Sequence, residues 1–115
     1  MFDFEKLDVY SKAKNLSKIV LKLLKEIKTI DPVLRDQFKR AVISIVLNIA
    51  EGSGKFSKAD KRNFYTTARG STYECVAILD ILLEQSNITK EEFNKLYFEF
   101  ETVSKMLLGL INSQK

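Results

Sequence analysis

Residues 41–52 read AVISIVLNIAEG, and aliphatic side chains dominate this stretch. In a helix, Val42, Ile45 and Ile49 fall on one apolar stripe, and other aliphatic residues cover most of the remaining circumference. Such a helix must be covered on nearly every side to keep its apolar surface from water. We therefore expect a central helix that its own bundle buries on one side and a second subunit buries on the other.

Three polar residues, Ser44, Asn48 and Glu51, interrupt this stretch. Their spacing of i, i+4 and i+7 places them along one edge of the helix. Gly52 and Gly54 follow, and glycine readily takes the left-handed conformation that ends many helices. The pattern predicts that the helix ends at these glycines.

The rest of the chain has the composition of an all-α protein. Its 115 residues suffice for one domain, residues 1–115, and they include only four Gly and one Pro. Apolar residues recur at three- and four-residue steps in four predicted helices, over about residues 3–27, 32–52, 58–87 and from residue 90 onward. The short connections between them favour an antiparallel up-down four-helix bundle.

Local signals support these helices. The first helix has a predicted buried seam of Tyr10, Ala13, Leu16, Val20, Leu23 and Ile27. The predicted helix starts are marked by Asp31 before Pro32, Ser57 with Asp60, and Thr89 with Glu92. Gly70 lies inside the third helix at a cost of about 1 kcal/mol relative to alanine. The close approach of a neighbouring helix would compensate that cost.

Several functional classes are disfavoured by the composition. The chain has no histidine and one cysteine, Cys75, so histidine-dependent catalysis and an internal disulfide are excluded, and zinc or di-iron sites of the Glu-x-x-His kind are disfavoured. No apolar run is long enough to span a membrane, and the amino terminus lacks the layout of a signal peptide. We expect a cytoplasmic protein that binds no metal or cofactor, does not contact a membrane, and is not an enzyme.

A polar cluster is predicted where the second and third helices run side by side. Ser44, Asn48 and Glu51 would lie alongside Ser71 and Glu74, because the connecting turn is short. The two carboxylates could form a catalytic pair or a metal site. The favoured interpretation is a buried, fully hydrogen-bonded network that fixes helix register, with a carboxylate neutralised by Arg40 or Arg69.

Basic residues suggest a polyanionic partner. Residues 1–70 carry fifteen Lys and Arg against eight Asp and Glu, whereas the remainder carries four against seven. The candidate phosphate-binding residues are Lys14, Lys18, Lys22 and Lys25 of the first helix, followed by Arg35, Lys39, Arg40, Lys55, Lys58, Lys61, Arg62 and Arg69. Tyr65, Tyr73 and Phe56 could stack on bases. The alternatives are solvated helix faces or head-to-tail pairing of subunits.

One segment resembles a known family. Residues 36–74, DQFKRAVISIVLNIAEGSGKFSKADKRNFYTTARGSTYE, are similar to the signature region of the four-helix-bundle proteins encoded in intervening sequences of 23S ribosomal RNA genes. That signature has an SIxxNIAEG block, an aromatic residue and an AxGSxxE block. The matching positions are Ser44, Ile45, Asn48, Ile49, Ala50, Glu51, Gly52, Phe64, Ala68, Gly70, Ser71 and Glu74. The first loop, KTIDP, departs from the Phe-Pro-like turn that the family leads us to expect.

The resemblance implies homopentameric barrels of four-helix subunits and no established enzymatic activity. It also implies a likeness in fold to the accessory variability determinant of diversity-generating retroelements, a basic pentamer that binds nucleic acid and a reverse transcriptase. The leading hypothesis is therefore a non-enzymatic oligomeric adaptor that binds RNA or DNA through phosphates, or binds a nucleic-acid-processing protein. The alternatives are a purely structural interaction module and an enzyme that uses Glu51 and Glu74.

Overall fold

The computed structural model describes residues 1–115 as four α-helices with no strand. The helices are α1 (Asp8–Glu26), α2 (Pro32–Ser53), α3 (Lys58–Glu84) and α4 (Lys90–Ser113), and a short 3-10 turn (Asp3–Lys6) precedes them. They pack into an elongated bundle of 44 × 21 × 21 Å. The all-α, four-helix prediction is confirmed. No helix in the chain combines the length and apolarity that crossing a membrane requires.

The predicted caps form at three helix starts. The Asp31 carboxylate accepts a hydrogen bond from the Val33 amide at 2.8 Å, and Pro32 occupies the first helical turn. Thr89 and Glu92 form a reciprocal capping box, with bonds of 2.8 and 3.0 Å. At α3 only half of the predicted capping box forms. The Ser57 hydroxyl accepts a hydrogen bond from the Asp60 amide.

The start of the first helix differs from the prediction. Leu7 is extended, at φ −87° and ψ 122°, and it separates the 3-10 turn from α1. The turn folds back so that the ring of Phe4 packs on that of Tyr10, with ring centroids 4.7 Å apart. α1 begins five residues later than predicted. Its buried seam includes Val9 and Leu24, whereas Tyr10 and Leu23 of the predicted seam are only half-buried.

All four helices contribute to one hydrophobic core. Its largest fully buried side chains are Phe38, Phe100, Leu16, Leu24, Ile45, Ile49, Leu79, Leu82, Leu107, Val20, Val42 and Val103. Six of these residues lie on α1 or α4, outside the central stretch. The stripe of Val42, Ile45 and Ile49 is buried as predicted.

α2 ends where predicted, at Ser53 with Gly54 as its C-cap, but not through a left-handed residue, because neither Gly52 nor Gly54 has a positive φ. Gly52 instead permits close helix packing. A Cβ atom built at this position would lie 2.9 Å from Phe64 Cβ and 2.9 Å from Tyr65 Cε1. The absence of a side chain therefore sets how closely α2 and α3 approach.

The left-handed residue of this chain is Ser86, at φ 60°. It follows α3, which ends at Glu84 rather than near Asn87 as predicted. The amide of Ser86 donates to the Leu83 carbonyl at 3.0 Å, and that of Asn87 donates to the Leu82 carbonyl at 2.9 Å. These two bonds form a Schellman motif that satisfies the last carbonyls of the helix.

The outer face of α2 remains apolar and open in the single subunit. Ile43 is 40% exposed and Leu47 is 54% exposed, one turn apart on the side opposite the core. Gly70 is also exposed, and no atom lies within 4 Å of a Cβ built there. The neighbouring helix that was predicted to approach Gly70 is therefore not provided by this chain.

Candidate nucleic-acid interface

The polar edge of α2 meets α3 through serine hydroxyls. Ser44 Oγ and Ser71 Oγ are 2.9 Å apart, and the Asn48 side-chain amide donates to Ser44 O at 2.8 Å and to Ser44 Oγ at 3.0 Å. All three residues are half-buried. This part of the predicted network therefore forms, and the serine contact fixes the register between the two helices.

The two carboxylates do not belong to this network within the subunit. Glu51 and Glu74 are exposed, and neither forms an ion pair with Arg40 or Arg69. From the serine contact, Glu51 lies seven residues toward the α2–α3 turn and Glu74 lies three residues away from it. Their backbones are therefore about 15 Å apart along the bundle. The expectation of buried, neutralised carboxylates is wrong for the single subunit, and the two groups do not form a catalytic pair there.

Three of the candidate cations bind helix carboxyl ends instead. The Arg35 guanidinium donates to the Ile27 carbonyl at 3.1 Å, just beyond α1, and Lys61 Nζ donates to the Ser53 carbonyl at 2.8 Å, at the end of α2. Arg62 donates to the carbonyl of Gln114, which follows α4. Cations in these positions satisfy free carbonyls and complement the helix dipole. Their roles depend on tertiary contacts up to 52 residues apart in sequence.

A fourth candidate, Arg69, also has partners within the subunit. Its Nε donates to the Ser104 carbonyl at 3.3 Å, and its guanidinium lies 5.2 Å from the ring centroid of Tyr73. Lys55 lies 4.9 Å from the ring centroid of Phe64. These contacts constrain both cations, although Lys55 remains exposed.

The first-helix lysines form a free, continuous row. Lys14, Lys18, Lys22 and Lys25 are all exposed, on the face of α1 opposite its core residues. They span about 16 Å along the helix axis. The two ion pairs in the chain are Lys12 with Glu99 and Lys105 with Glu101, so no residue of this lysine ladder is neutralised by a carboxylate.

The remaining candidates are dispersed, as expected for an antiparallel bundle. Arg40 is exposed and Lys39 is half-buried in the first half of α2. Lys58 is exposed at the start of α3, near the opposite end of the bundle. They do not form one patch with each other, so the lysine ladder is the densest cationic surface.

The aromatic candidates separate into buried and exposed residues. Tyr65 is buried, and this burial, together with the nearby Asp3 carboxylate, raises its pKa above 10.0. It belongs to the core and cannot stack on a base. Tyr73 and Phe56 are exposed and remain available for stacking. The only cysteine, Cys75, is buried, and burial followed by the charge of Glu74 raises the pKa of its thiol.

A family model described as 23S rRNA-intervening sequence protein matches residues 5–109. The chain belongs to this family. The resemblance drawn from the SIxxNIAEG and AxGSxxE blocks is therefore confirmed, and both blocks lie inside the matched region. A comparison with curated proteins finds no match.

A solved structure supports the fold of this family member. It is the crystal structure at 1.70 Å of a protein with unknown function from the S23 ribosomal protein family of Bacteroides thetaiotaomicron VPI-5482. That protein is 25% identical to this chain, with a TM-score of 0.86. The similarity covers 90% of this chain and 97% of the other.

Proposed function

We propose that this family member is a non-enzymatic, self-associating adaptor that binds RNA through its phosphate backbone. The lysine ladder of α1 carries the proposal, because it offers four exposed ammonium groups on one face, none of them in an ion pair with a carboxylate. The name of the family supports 23S ribosomal RNA as the first RNA to test. The buried, unpaired Cys75 is compatible with a reducing compartment, and we place the protein in the cytoplasm.

The ladder predicts a particular kind of binding. Lysine ammonium groups contact phosphates without reading base sequence, so affinity should depend on salt more than on sequence. On single-stranded RNA each neutralised phosphate contributes about 0.7 to the slope of log K against log salt concentration. If each of the four lysines neutralised its own phosphate, the slope would reach its upper limit of about −3.

The test is a fluorescence anisotropy titration of a labelled 23S rRNA fragment with purified protein at several salt concentrations. Replacing Lys18 and Lys22 with glutamate should abolish most of the binding. The matched control, Lys95→Glu with Lys105→Glu on α4, changes the net charge equally and should retain more affinity. Absence of binding by the unchanged protein at low salt would reject direct RNA contact.

Self-association is the second part of the proposal, and the family resemblance suggests a pentameric barrel. The outer face of α2 supports it, because Ile43 and Leu47 leave apolar surface open beside the polar edge. The open position at Gly70 would allow a helix of another subunit to approach closely. Leu47→Glu should reduce the mass in solution, whereas Leu108→Glu, at a residue that is 40% exposed on α4, should not.

A second candidate function is a protein-interaction module whose charges set subunit pairing or the docking of a nucleic-acid-processing protein. The excess of acidic residues over basic ones in residues 71–115, seven against four, favours it. Such a segment could pair with the lysine ladder of another copy. In that case the Lys18→Glu, Lys22→Glu variant would lose its oligomeric mass, and the unchanged protein would not bind RNA.

A further inference from the structure

A polar cleft lies between the N-terminal 3-10 turn and the exposed face of α1. Its volume is about 370 Å³. It is lined by Glu5, Tyr10, Ser11, Lys14, Asn15 and Lys18. The two lysines are the first half of the lysine ladder, while the second half, Lys22 and Lys25, lies outside the cleft.

The fold holds the two walls of the cleft together. The extended backbone at Leu7 turns the chain, so that the 3-10 turn packs beside α1 rather than continuing its axis. The Phe4 ring lies on the Tyr10 ring, and the Glu5 carboxylate accepts a hydrogen bond from the Phe2 amide at 2.9 Å. These contacts close the turn and position its outer wall against the helix.

The inner wall combines the donors that a phosphate group needs. Ser11, Lys14, Asn15 and Lys18 are related by steps of three and four residues, so they are neighbours on one patch of the helix surface. The patch supplies two ammonium groups, one hydroxyl and one amide. Glu5 is the only carboxylate in the cleft, and its charge opposes two ammonium groups.

We infer that this cleft holds one phosphate group of the bound RNA, with Lys14 and Lys18 supplying charge and Ser11 and Asn15 donating hydrogen bonds. The inference rests on the proposed RNA-binding function and adds a fixed contact point to it. Charge-assisted hydrogen bonds to phosphate are stronger than those between neutral groups. Lys22 and Lys25, which have no such surroundings, contribute only to the diffuse positive field.

The test compares two charge-matched double variants on the same helix. Lys14→Gln with Lys18→Gln should reduce the magnitude of the salt slope for single-stranded RNA by about 0.7, since the one phosphate contact of the cleft is lost. Lys22→Gln with Lys25→Gln should reduce it by less than half as much. Equal reductions of the salt slope by the two double variants would refute the phosphate site in the cleft, while RNA binding by the lysine ladder would still stand. No binding by the unchanged protein would reject both proposals.

Variants that keep the lysines test the donors separately. Ser11→Ala with Asn15→Ala should weaken RNA binding about five- to hundredfold with an unchanged salt slope, as expected for the loss of two hydrogen bonds. Ser17→Ala is the control, because its hydroxyl donates to the Lys14 carbonyl at 2.7 Å and does not line the cleft. Glu5→Gln should tighten binding by removing the opposing charge, and unchanged or weaker binding would contradict the inference. Circular dichroism confirms that each variant is folded.

Discussion

Replacing Gly52 with alanine is expected to destabilise the subunit, although alanine is the better helix former. The new Cβ would lie 2.9 Å from Phe64 Cβ, 2.9 Å from Tyr65 Cε1 and 3.1 Å from Tyr65 Cδ1. The first of these atoms is fixed by the backbone of α3, and the tyrosine ring is only 2% exposed. Neither neighbour can move away without shifting the helix or the core, so the α2–α3 contact must open.

The size of the effect follows from two opposing terms. Removing glycine from a helix interior contributes about 1 kcal/mol of stability. Overpacking a close contact costs about 1–3 kcal/mol, and the rigid neighbours of Gly52 place this substitution in the upper part of that range. The expected net loss is therefore about 1–2 kcal/mol in the free energy of unfolding.

The assay is urea denaturation followed by circular dichroism at one fixed protein concentration, because self-association would make stability depend on concentration. The matched control is Gly109→Ala in α4, where no atom lies within 4 Å of the new Cβ. It should stabilise the protein by up to about 1 kcal/mol. If both variants gained stability equally, the close approach of α2 and α3 at Gly52 would be refuted.

Four further substitutions test other parts of the structure. Glu74→Leu should change the free energy of unfolding by no more than about 0.5 kcal/mol because the side chain is exposed. Ser44→Ala should lower it by about 1 kcal/mol, because Ser71 and Asn48 both lose a hydrogen-bond partner. Urea denaturation curves measure both changes. Burial raises the pKa of Cys75 above its ordinary 9.0, so the unfolded thiol loses its proton first and the free energy of unfolding should fall above about pH 9, by up to about 1.4 kcal/mol per pH unit. Cys75→Ala should reduce this fall, measured by denaturation at pH 8 to 10. Ser86→Gly should stabilise the protein by about 1 kcal/mol, because Ser86 has φ 60° and glycine adopts this left-handed conformation without the steric cost that serine carries. An unchanged melting temperature would contradict this prediction.

Much of the fold could be predicted because it depends on local chemistry. The caps at Asp31 and Thr89 and the buried stripe of α2 follow from the residue types and their helical spacing. The start of α1 could not be predicted in this way. There the backbone is extended at Leu7 and the Phe4 ring packs on that of Tyr10, and neither feature can be read from the periodicity.

The candidate site was less predictable because it depends on tertiary geometry. The sequence placed Ser44, Asn48 and Ser71 together correctly, since their helices are joined by a short turn. It could not show that Glu51 and Glu74 are exposed. The spacing of residues along a helix gives the face on which a side chain lies, but not how much of that face a neighbouring helix covers. The role of Gly52 was likewise assigned to backbone conformation, whereas it arises from contact with α3.

One subunit leaves Ile43 and Leu47 of α2 exposed, and we propose that copies associate through this apolar surface. Static light scattering on the purified protein, without RNA, measures whether they do. We expect a mass of several times 13.2 kDa, and about five times that value for a pentamer. A well-folded protein that remains at 13.2 kDa at working concentrations, with Ile43 and Leu47 in contact with solvent, would contradict it.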